Sequence, residues 1–547
     1  MLQLARQLRR HEKFLQLVRQ TSIKQLVRQT ATKRNWLKPP GHETDLRIYN
    51  CVAKRNVPFI LNNQYFVTWY TCGPTVYDSC HLGHASCYVK LDILQRILRH
   101  HFNLNIVSAM NITDIDDKII AKSESLGKDW RDVARFYEAE FWADLKNLNV
   151  LEPNVKARVT DHIPKIVNYI EGIIKKRLAY VGDDNSVYMD VRCVKDYGKL
   201  QNISLDEQNA EEQSEREFKK SPMDFALWKA RETGPTFPSP WGSGRPAWHI
   251  ECSALAGMIF GDNVHIHAGG IDLRFPHHEN EECQSCVYHD TKQWVNYWLH
   301  TGHLSIKGET QKMSNSLKNT ISVKDMLKNY SSDDFRMACA LSNYRSQMEY
   351  SDELMMMAKS HLNKFKDFRT DCLAYLSGKK TATGLDDSAI FENLKFAQSH
   401  VDSSIRDDFN TNRSITTLMD QISSISRCIN AQAGSEEQIQ TASSLDAIAA
   451  VSNYVAFILQ SFGFRFVTTE EHKANVTTEQ IDLNALLEDI LNTRKSIRDK
   501  AVADKNAHLF EICDDLRKCL LQNGIDIRDH SKGSSWSFTK RTIEREN

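Results

Sequence analysis

Between Tyr65 and Thr71 the chain reads Tyr-Phe-Val-Thr-Trp-Tyr-Thr, a run of β-branched and aromatic residues that passes directly into Cys72-Gly73-Pro74. Such a run stopped by Gly-Pro predicts a strand ending in a turn. Beyond the turn the apolar period lengthens, and Val89, Ile93, Leu94, Ile97 and Leu98 share one face of a helix over Tyr88 to His101. A second apolar run, Leu104 to Met110, predicts another strand. Strand, glycine-bearing turn, helix and strand make a βαβ unit, which implies a parallel sheet. Asn111 to Tyr180 reads as mostly helical. Asp206 to Lys220 is charge-dense with almost nothing to bury and reads as a flexible surface insertion. Thr233 to Pro246, rich in Gly and Pro, is a loop ahead of renewed β/α patterning from Trp248 to Leu304. From Met326 to Phe464 the period is helical throughout, as in a bundle. A small module follows from about Val476, helical at first and finishing in Gly533-Ser-Ser-Trp536-Ser-Phe538 and a basic tail.

At 547 residues the chain is too long for one compact domain, and 41% hydrophobic content can bury several cores. The longest uncharged stretch, Ala447 to Phe464, could span a bilayer by length. It includes Ser452, Asn453, Gln460 and Ser461, and Ile448, Val451, Val455, Ile458, Leu459 and Phe462 fall at helical spacing, so a buried core helix is expected. No membrane association follows. The first 38 residues carry ten Lys or Arg against one acid, Glu12, with Leu, Val and Ile at amphipathic spacing. That is the composition of a mitochondrial transit peptide; a basic nucleic-acid arm is the other reading. The whole chain is formally neutral, so without a segment of charge plus nine the remainder stands near minus nine. A polyanion must then find local basic patches. Thirteen cysteines, an odd number scattered widely, do not form a disulfide framework and fit a reducing compartment such as the matrix.

Three strings carry chemistry. His81-Leu-Gly83-His84 opens a predicted helix, where unpaired backbone N–H groups, a glycine permitting close approach and two imidazoles suit a polyphosphate; a histidine-containing cap is the plainer reading. Trp248-His-Ile-Glu-Cys252 and Phe275-Pro-His277-His278-Glu279-Asn-Glu281 form a metal-like constellation with Cys72. His277 and Glu281 are four apart and share a helical face, so Cys72, Cys252, His277 and Glu281 would offer two sulfurs, one nitrogen and one oxygen to zinc. His278 and Glu279 are offset onto other faces. Cys283-Gln-Ser-Cys286 looks like half a zinc site, but a lone pair on a helix is more often packing. Trp248 either walls a pocket or belongs to a core. The third string, Lys312-Met-Ser314-Asn315-Ser316, lies in a polar loop between Ile306 and Lys318 and means little alone.

In order along the chain these strings, with Asn111-Ile-Thr113-Asp-Ile-Asp-Asp117, Gly269-Gly270-Ile-Asp272 and Asp407-Asp-Phe-Asn-Thr411, resemble the cysteinyl-tRNA synthetases of the mitochondrial kind, class I enzymes, from about Leu46 to the C-terminus. The resemblance implies a Rossmann-type α/β catalytic domain in two halves, 39–117 and 233–325, after a transit peptide at 1–38 and around a connective insertion at 118–232. An all-α tRNA-binding bundle at 326–470 and a small anticodon-binding module at 471–547 would follow. It implies one zinc on Cys72, Cys252, His277 and Glu281, and ATP with Mg2+ at His81, Gly83, His84, Gly269, Gly270, Asp272, Lys312, Ser314 and Asn315, of which His81, His84 and Lys312 carry catalysis. Cysteine would meet Cys72, Gly73, Thr113 and Trp248, and tRNA-Cys would meet Trp536, Lys540 and Arg541, where an aromatic ring beside cations suits base stacking and phosphate contact.

The implied reaction joins the cysteine carboxylate to the ATP α-phosphate, then passes the aminoacyl group to a tRNA ribose hydroxyl. Zinc binding the substrate thiolate would separate cysteine from serine without editing, where an apolar pocket would distinguish near-isosteres by only about a hundredfold. The family loop reads Lys-Met-Ser-Lys-Ser, so Asn315 removes one expected charge, for which Lys307 or Lys318 would substitute. Ala268 stands where a third glycine is usual. The resemblance also admits pyridoxal phosphate and cysteine persulfide formation through Lys118-Ile-Ile-Ala-Lys122, against solvated helix lysines as the plainer reading. A monomer in the mitochondrial matrix is expected. Two rivals remain: a cysteine-adenylating ligase acting on a small amine, opposed by the more than two hundred residues after the Lys312 loop, and a noncatalytic tRNA-binding relative, opposed by the intact histidines and metal ligands.

Overall fold

The computed structural model describes residues 35–63, 66–194, 196–201, 218–308, 313, 320–380, 382, 385–430, 442–467, 483–530 and 533–538. Lys312, Ser314, Asn315, Lys318, Lys540 and Arg541, and most of the polar 206–220 stretch, lie outside them, and only the backbone of Trp536 is described. The chain divides into two units, 1–467 and 468–547.

The first unit opens with an antiparallel ribbon of β1 (His42–Asn50) and β2 (Arg55–Leu61). β3 (Phe66–Thr71), α1 (Leu82–His100) and β4 (Asn105–Ile112) are the expected βαβ unit, with β3 and β4 parallel from Phe66↔Asn105 to Thr71↔Met110. α2 (Asp117–Leu126), α3 (Trp130–Asn147), β5 (Val155–Arg158) and α4 (Ile163–Lys175) follow. A separate antiparallel sheet then forms from β6 (Ala179–Val181), β7 (Val187–Met189), β8 (Phe225–Ala230) and β9 (Gly244–Pro246). The chain returns through α5 (Trp248–Phe260), β10 (Val264–Gly270), α6 (Glu279–His289) and β11 (Val295–Thr301). β5 and β6 interrupt the stretch read as helical from Asn111 to Tyr180; at four and three residues both are too short to impose a period of two on the sequence.

The main sheet is all parallel in the order β11-β10-β3-β4-β5. Its first strand in sequence, β3, lies in the middle, with β4 on one side and the late-returning β10 on the other. The strand order reverses there, and in open α/β sheets ligands bind outside the carboxyl ends of the strands at such a switch point.

Past β11 come β12 (Leu304–Ile306), α7 (Val323–Asn329), α8 (Ser332–Ala340) and β13 (Met348–Tyr350), then the long helices α9 (Asp352–Leu376), α10 (Asp387–Arg406), α11 (Thr411–Asn430) and α12 (Ala442–Ser461). In α9, Met355, Ala358, Leu362, Phe365, Phe368, Cys372 and Tyr375 are buried at steps of three and four, the stripe a bundle needs. In α12, Ile448, Val451, Val455, Ile458, Leu459 and Phe462 are buried as expected, in a hydrophobic core continuous with that under the parallel sheet. No described helix is long and apolar enough to cross a membrane, and all thirteen cysteines are free.

Trp36 and Leu37, inside the segment read as a transit peptide, dock on the main body. The Trp36 indole donates to Asn296 O at 3.0 Å, and the Gln293 amide both accepts from Leu37 N (2.9 Å) and donates to Leu37 O (3.0 Å). The second unit comprises α13 (Leu483–Ala503), α14 (Ala507–Gln522) and a hairpin of β14 (Ile525–His530) and β15 (Gly533–Phe538), with Ile527 opposite Trp536.

Candidate functional site: a buried thiol and imidazole cluster and a histidine-capped helix start

The carboxyl ends of β3 and β10 converge at Cys72, whose N–H donates to Ala268 O at 3.3 Å. Gly73 follows, its N–H donating to Asn111 Oδ1 at 2.8 Å; a Cβ here would overlap the Asn111 carbonyl oxygen, so only glycine fits. Cys252 comes from α5 and Glu281 from α6, and His277 from an irregular turn, Arg274–His278, in which Phe275 is extended (φ −143°, ψ 133°). All four side chains are buried.

Their spacing fits a tetrahedral ion. From Cys72 Sγ it is 3.7 Å to Cys252 Sγ, 3.5 Å to His277 Nε2 and 3.4 Å to Glu281 Oε1, and His277 Nε2 is 3.0 Å from Glu281 Oε1. Tetrahedral zinc with its usual bond lengths would set these edges at about 3.8 Å for S to S, about 3.6 Å for S to N or O and about 3.3 Å for N to O. These four of the six edges stand within a few tenths of an ångström of that, all four donor atoms lie within 4.8 Å of one another, and the donor set suits zinc. The site also lacks internal charge balance. Burial pushes the Cys72 thiol well above its ordinary value, with Cys252 and Glu281 adding to the push, and burial raises the Glu281 carboxyl too. Glu281 Oε2 makes no hydrogen bond, with His267 Nε2 3.4 Å away.

Neighbours orient these groups. His277 presents Nε2 to the thiols while its Nδ1 lies 2.9 Å from His249 Nδ1, which burial keeps neutral. The second ring nitrogen of a ligating histidine commonly finds such a partner. Trp248 stacks on His277 with centroids 4.1 Å apart and is 40% exposed, so it forms a wall of the cluster at the surface and not part of a core.

Sequence reasoning set His278 aside as facing elsewhere and missed His267. His267 Nε2 and His278 Nε2 lie 3.3 and 3.4 Å from Cys72 Sγ, making a second possible grouping of Cys72, His267, His278 and Glu281. Burial holds both rings neutral, and His278 Nδ1 meets His300 Nε2 at 2.9 Å. By contrast Glu279, immediately after the Arg274–His278 turn, holds the 198–200 loop: its carboxylate accepts from the N–H groups of Gly198, Lys199 and Leu200. Cys283 packs in the core and Cys286 donates to Glu282, and neither joins a metal-capable grouping among the described residues.

At the start of α1 stands the histidine-containing cap. His81 is the N-cap, its Nδ1 accepting from Gly83 N at 3.1 Å, and its ring stacks on that of His84 at 3.8 Å. A Cβ on Gly83 would fall 2.8 Å from the His81 ring. Ile321, ahead of α7, lies against this helix start, its carbonyl accepting from Leu82 N at 2.9 Å. Gly269 and Gly270 end β10, and a Cβ on Gly270 would lie 2.5 Å from Asp272 Oδ1. The Thr113 hydroxyl is engaged, donating to Glu251 Oε2 at 2.8 Å. Lys307 pairs with Glu353 at 3.2 Å, Lys118 lies 5.5 Å from the Tyr77 ring centroid, and Lys122 pairs with Asp78 at 3.5 Å.

Residues 59–360 match the family described as tRNA synthetases class I (C) catalytic domain. "Probable cysteine--tRNA ligase, mitochondrial" of Xenopus tropicalis is 38% identical over 534 residues, covering 93% of this chain and 92% of the relative. "Cysteine--tRNA ligase" of Thermococcus onnurineus is 34% identical over 90% of this chain and 98% of its own. The Mycobacterium tuberculosis methionyl-tRNA synthetase in complex with methionyl-adenylate shares the fold, with a TM-score of 0.55 at 13% identity over 73% of this chain and 91% of that one. With identity of this order running almost end to end through the relatives, the chain belongs to the cysteinyl-tRNA synthetase family of class I tRNA synthetases.

Proposed function

We propose that the protein ligates L-cysteine to tRNA-Cys through cysteinyl-adenylate, in the mitochondrial matrix. The observation that carries this reading is the buried set Cys72, Cys252, His277 and Glu281 at the carboxyl ends of β3 and β10, in the same chain as the His81-Leu-Gly-His84 helix start. The family and the tetrahedral spacing support zinc there, and when bound it supplies a preference for sulfur over oxygen that shape alone cannot give.

The rest of the work belongs to the chain's own groups. The attacking carboxylate of cysteine and the α-phosphate of ATP must be held in line, and the charge that develops on phosphate must meet fixed donors. The α1 N-terminus with His81 and His84 supplies donors and a favourable dipole. Gly269 and Gly270 allow close approach, Asp272 takes the ribose, and Lys312 with Mg2+ meets the outer phosphates. Gly73, Thr113 and Trp248 line the amino-acid pocket, with Thr113 acting together with its partner Glu251. No protein nucleophile is required.

The domain reading assigns 39–117 and 233–325 to catalysis, 118–232 to the insertion, 326–470 to the tRNA-binding bundle and 471–547 to an anticodon-binding module with Trp536, Lys540 and Arg541, in a monomer. Mitochondrial naming of relatives and the basic, acid-poor N-terminus support the compartment. A pyridoxal phosphate role would fall to Lys118, 5.5 Å from the Tyr77 ring centroid, or Lys122, ion-paired with Asp78 at 3.5 Å, and a Schiff base needs a free neutral amine. Charging of tRNA-Cys by the zinc-loaded full chain, with ATP and with serine as control, is the test. Cysteine-specific charging is expected; folded, zinc-loaded protein that charges nothing would overturn the reading.

A further inference from the structure

The α1 start, expected to hold ATP, and the chain from Ile321 into α7 are joined by more than their backbone contact. Three chain regions meet at one carboxylate. Ser79, two residues before the His81 cap, donates its hydroxyl to Glu140 Oε2 at 2.7 Å. Lys324, in the first turn of α7, donates its ammonium to Glu140 Oε1. Glu140 itself belongs to α3, outside both segments, and its side chain is 13% exposed against 62% for Lys324. The Ser79 hydroxyl and the Lys324 ammonium together hold the carboxylate ionised against the opposing effect of burial.

The contacts form a closed circuit. Ser322 caps α7 by accepting from Asp325 N at 3.0 Å, and it makes a backbone bridge to His81. Ile321, immediately before it, accepts from Leu82 N. From Ser79 the path therefore runs through Glu140 to Lys324, back along α7 to Ser322 and Ile321, and across to His81 and Leu82. The ring fixes where the chain leaving the Lys312 loop stands relative to the two histidines. Asp78, next to Ser79, is tied to α2 through Lys122 at 3.5 Å, so the turn before α1 is held from two helices.

We propose that Glu140 is a positioning residue for ATP: by bridging Ser79 and Lys324 it sets α7 and the Ile321–Ser322 segment before it against the His81 and His84 helix start. The role matters more in this chain because Asn315 has removed one charge from the loop, leaving more of phosphate binding to the placement of what remains. Glu140 touches neither substrate nor metal and acts only through the two segments it joins. The inference rests on the adenylation reading given above.

The test is cysteine-dependent ATP–pyrophosphate exchange by the zinc-loaded full chain, comparing Glu140→Gln, Lys324→Met, the double variant and the surface control Lys328→Met. Lys328 pairs only with Asp325, on the same exposed helix. Each single change is expected to raise the KM for ATP about threefold, the range of a partly exposed charge pair, with the KM for cysteine unmoved. The double variant should raise it about as much as either single, since the two act through one contact. Lys328→Met should match wild type. An unchanged KM for ATP in both singles, a multiplicative double variant, or parallel loss of cysteine and ATP binding would overturn the proposal. Should Glu140→Gln fail to fold, Lys324→Met at its exposed position still decides. Exchange by wild type with unmoved variants would sink this proposal alone; no exchange by folded, zinc-loaded wild type would sink the adenylation reading with it.

Discussion

Metal binding at the cysteine and histidine cluster should be steeply dependent on pH, and the slope can be worked from the side chains. The metal-free site holds protons that the ion must displace, because a thiolate and a carboxylate are the ligating forms. Burial and its neighbours raise Cys72 well above the usual thiol value, so it surrenders a proton at any pH from about 6 to about 8. Glu281, raised by burial, surrenders a second wherever the solution is more acidic than its own titration. Cys252 contributes least: burial opposes its ionisation, but its hydrogen bond with Cys72 and the nearby His277 leave it below the ordinary thiol value. The sign is therefore fixed: affinity falls as pH falls, because protons compete with the ion. Each displaced proton is one decade per pH unit, so the association constant should climb by about one to two decades per unit. Competition of the full chain with a chromophoric chelator of known zinc affinity, in steps across this range, reads the slope. Glu281→Gln keeps an oxygen donor but has no proton to lose, so it should flatten the slope at the acid end while weakening binding overall. Affinity independent of pH, or a slope untouched by Glu281→Gln, would refute the assignment of protons to these ligands.

Three further outcomes follow from contacts around the site. His249→Ala removes the partner of His277 Nδ1 and should lower zinc affinity about 10- to 100-fold in the same competition, with the far-ultraviolet dichroism unchanged. Gly83→Ala places a methyl against the His81 ring, so it should displace the cap, cost about 1 kcal/mol of helix-start stability and slow cysteine-dependent pyrophosphate exchange; an exchange rate equal to wild type would show that the cap geometry is dispensable. A chain beginning at Pro39 loses the Trp36 and Leu37 hydrogen bonds that one beginning at Asn35 keeps, and should be less stable by about 2 kcal/mol, read as an earlier thermal transition.

Much of the first unit was legible in sequence because its period was clean. The run from Tyr65 to Thr71, the stripe from Val89 to Leu98 and the run from Leu104 to Met110 each fell on the element they predicted, since a central parallel strand is apolar on both faces and a covering helix on one. The stripe of α12 read equally well as a core helix. What the period could not show was pairing over distance. Nothing local in Phe225–Ala230 or Gly244–Pro246 announces that they form one antiparallel sheet with Val187–Met189, because short segments gain their strand character from partners and not from their own pattern.

The same limit explains the histidine set aside and the one missed, and the reason is geometric. Placing His278 on a different face from His277 assumes a regular helix through both, whereas Arg274–His278 is an irregular turn with Phe275 extended, and both imidazoles reach Cys72. His267 had a usable signal. It sits three residues before the end of a parallel strand, within the stretch from Trp248 to Leu304 whose patterning reads as β/α, and carboxyl ends of such strands are where ligands gather. A chemistry-bearing residue near that end deserved weighing with Cys72, which ends its neighbour. The four residues expected as ligands nevertheless come together, because the i,i+4 spacing still brings His277 and Glu281 to 3.0 Å where the turn enters α6, and buried sulfur, imidazole and carboxylate brought together without a balancing cation are unstable unless protonated or metal-bound.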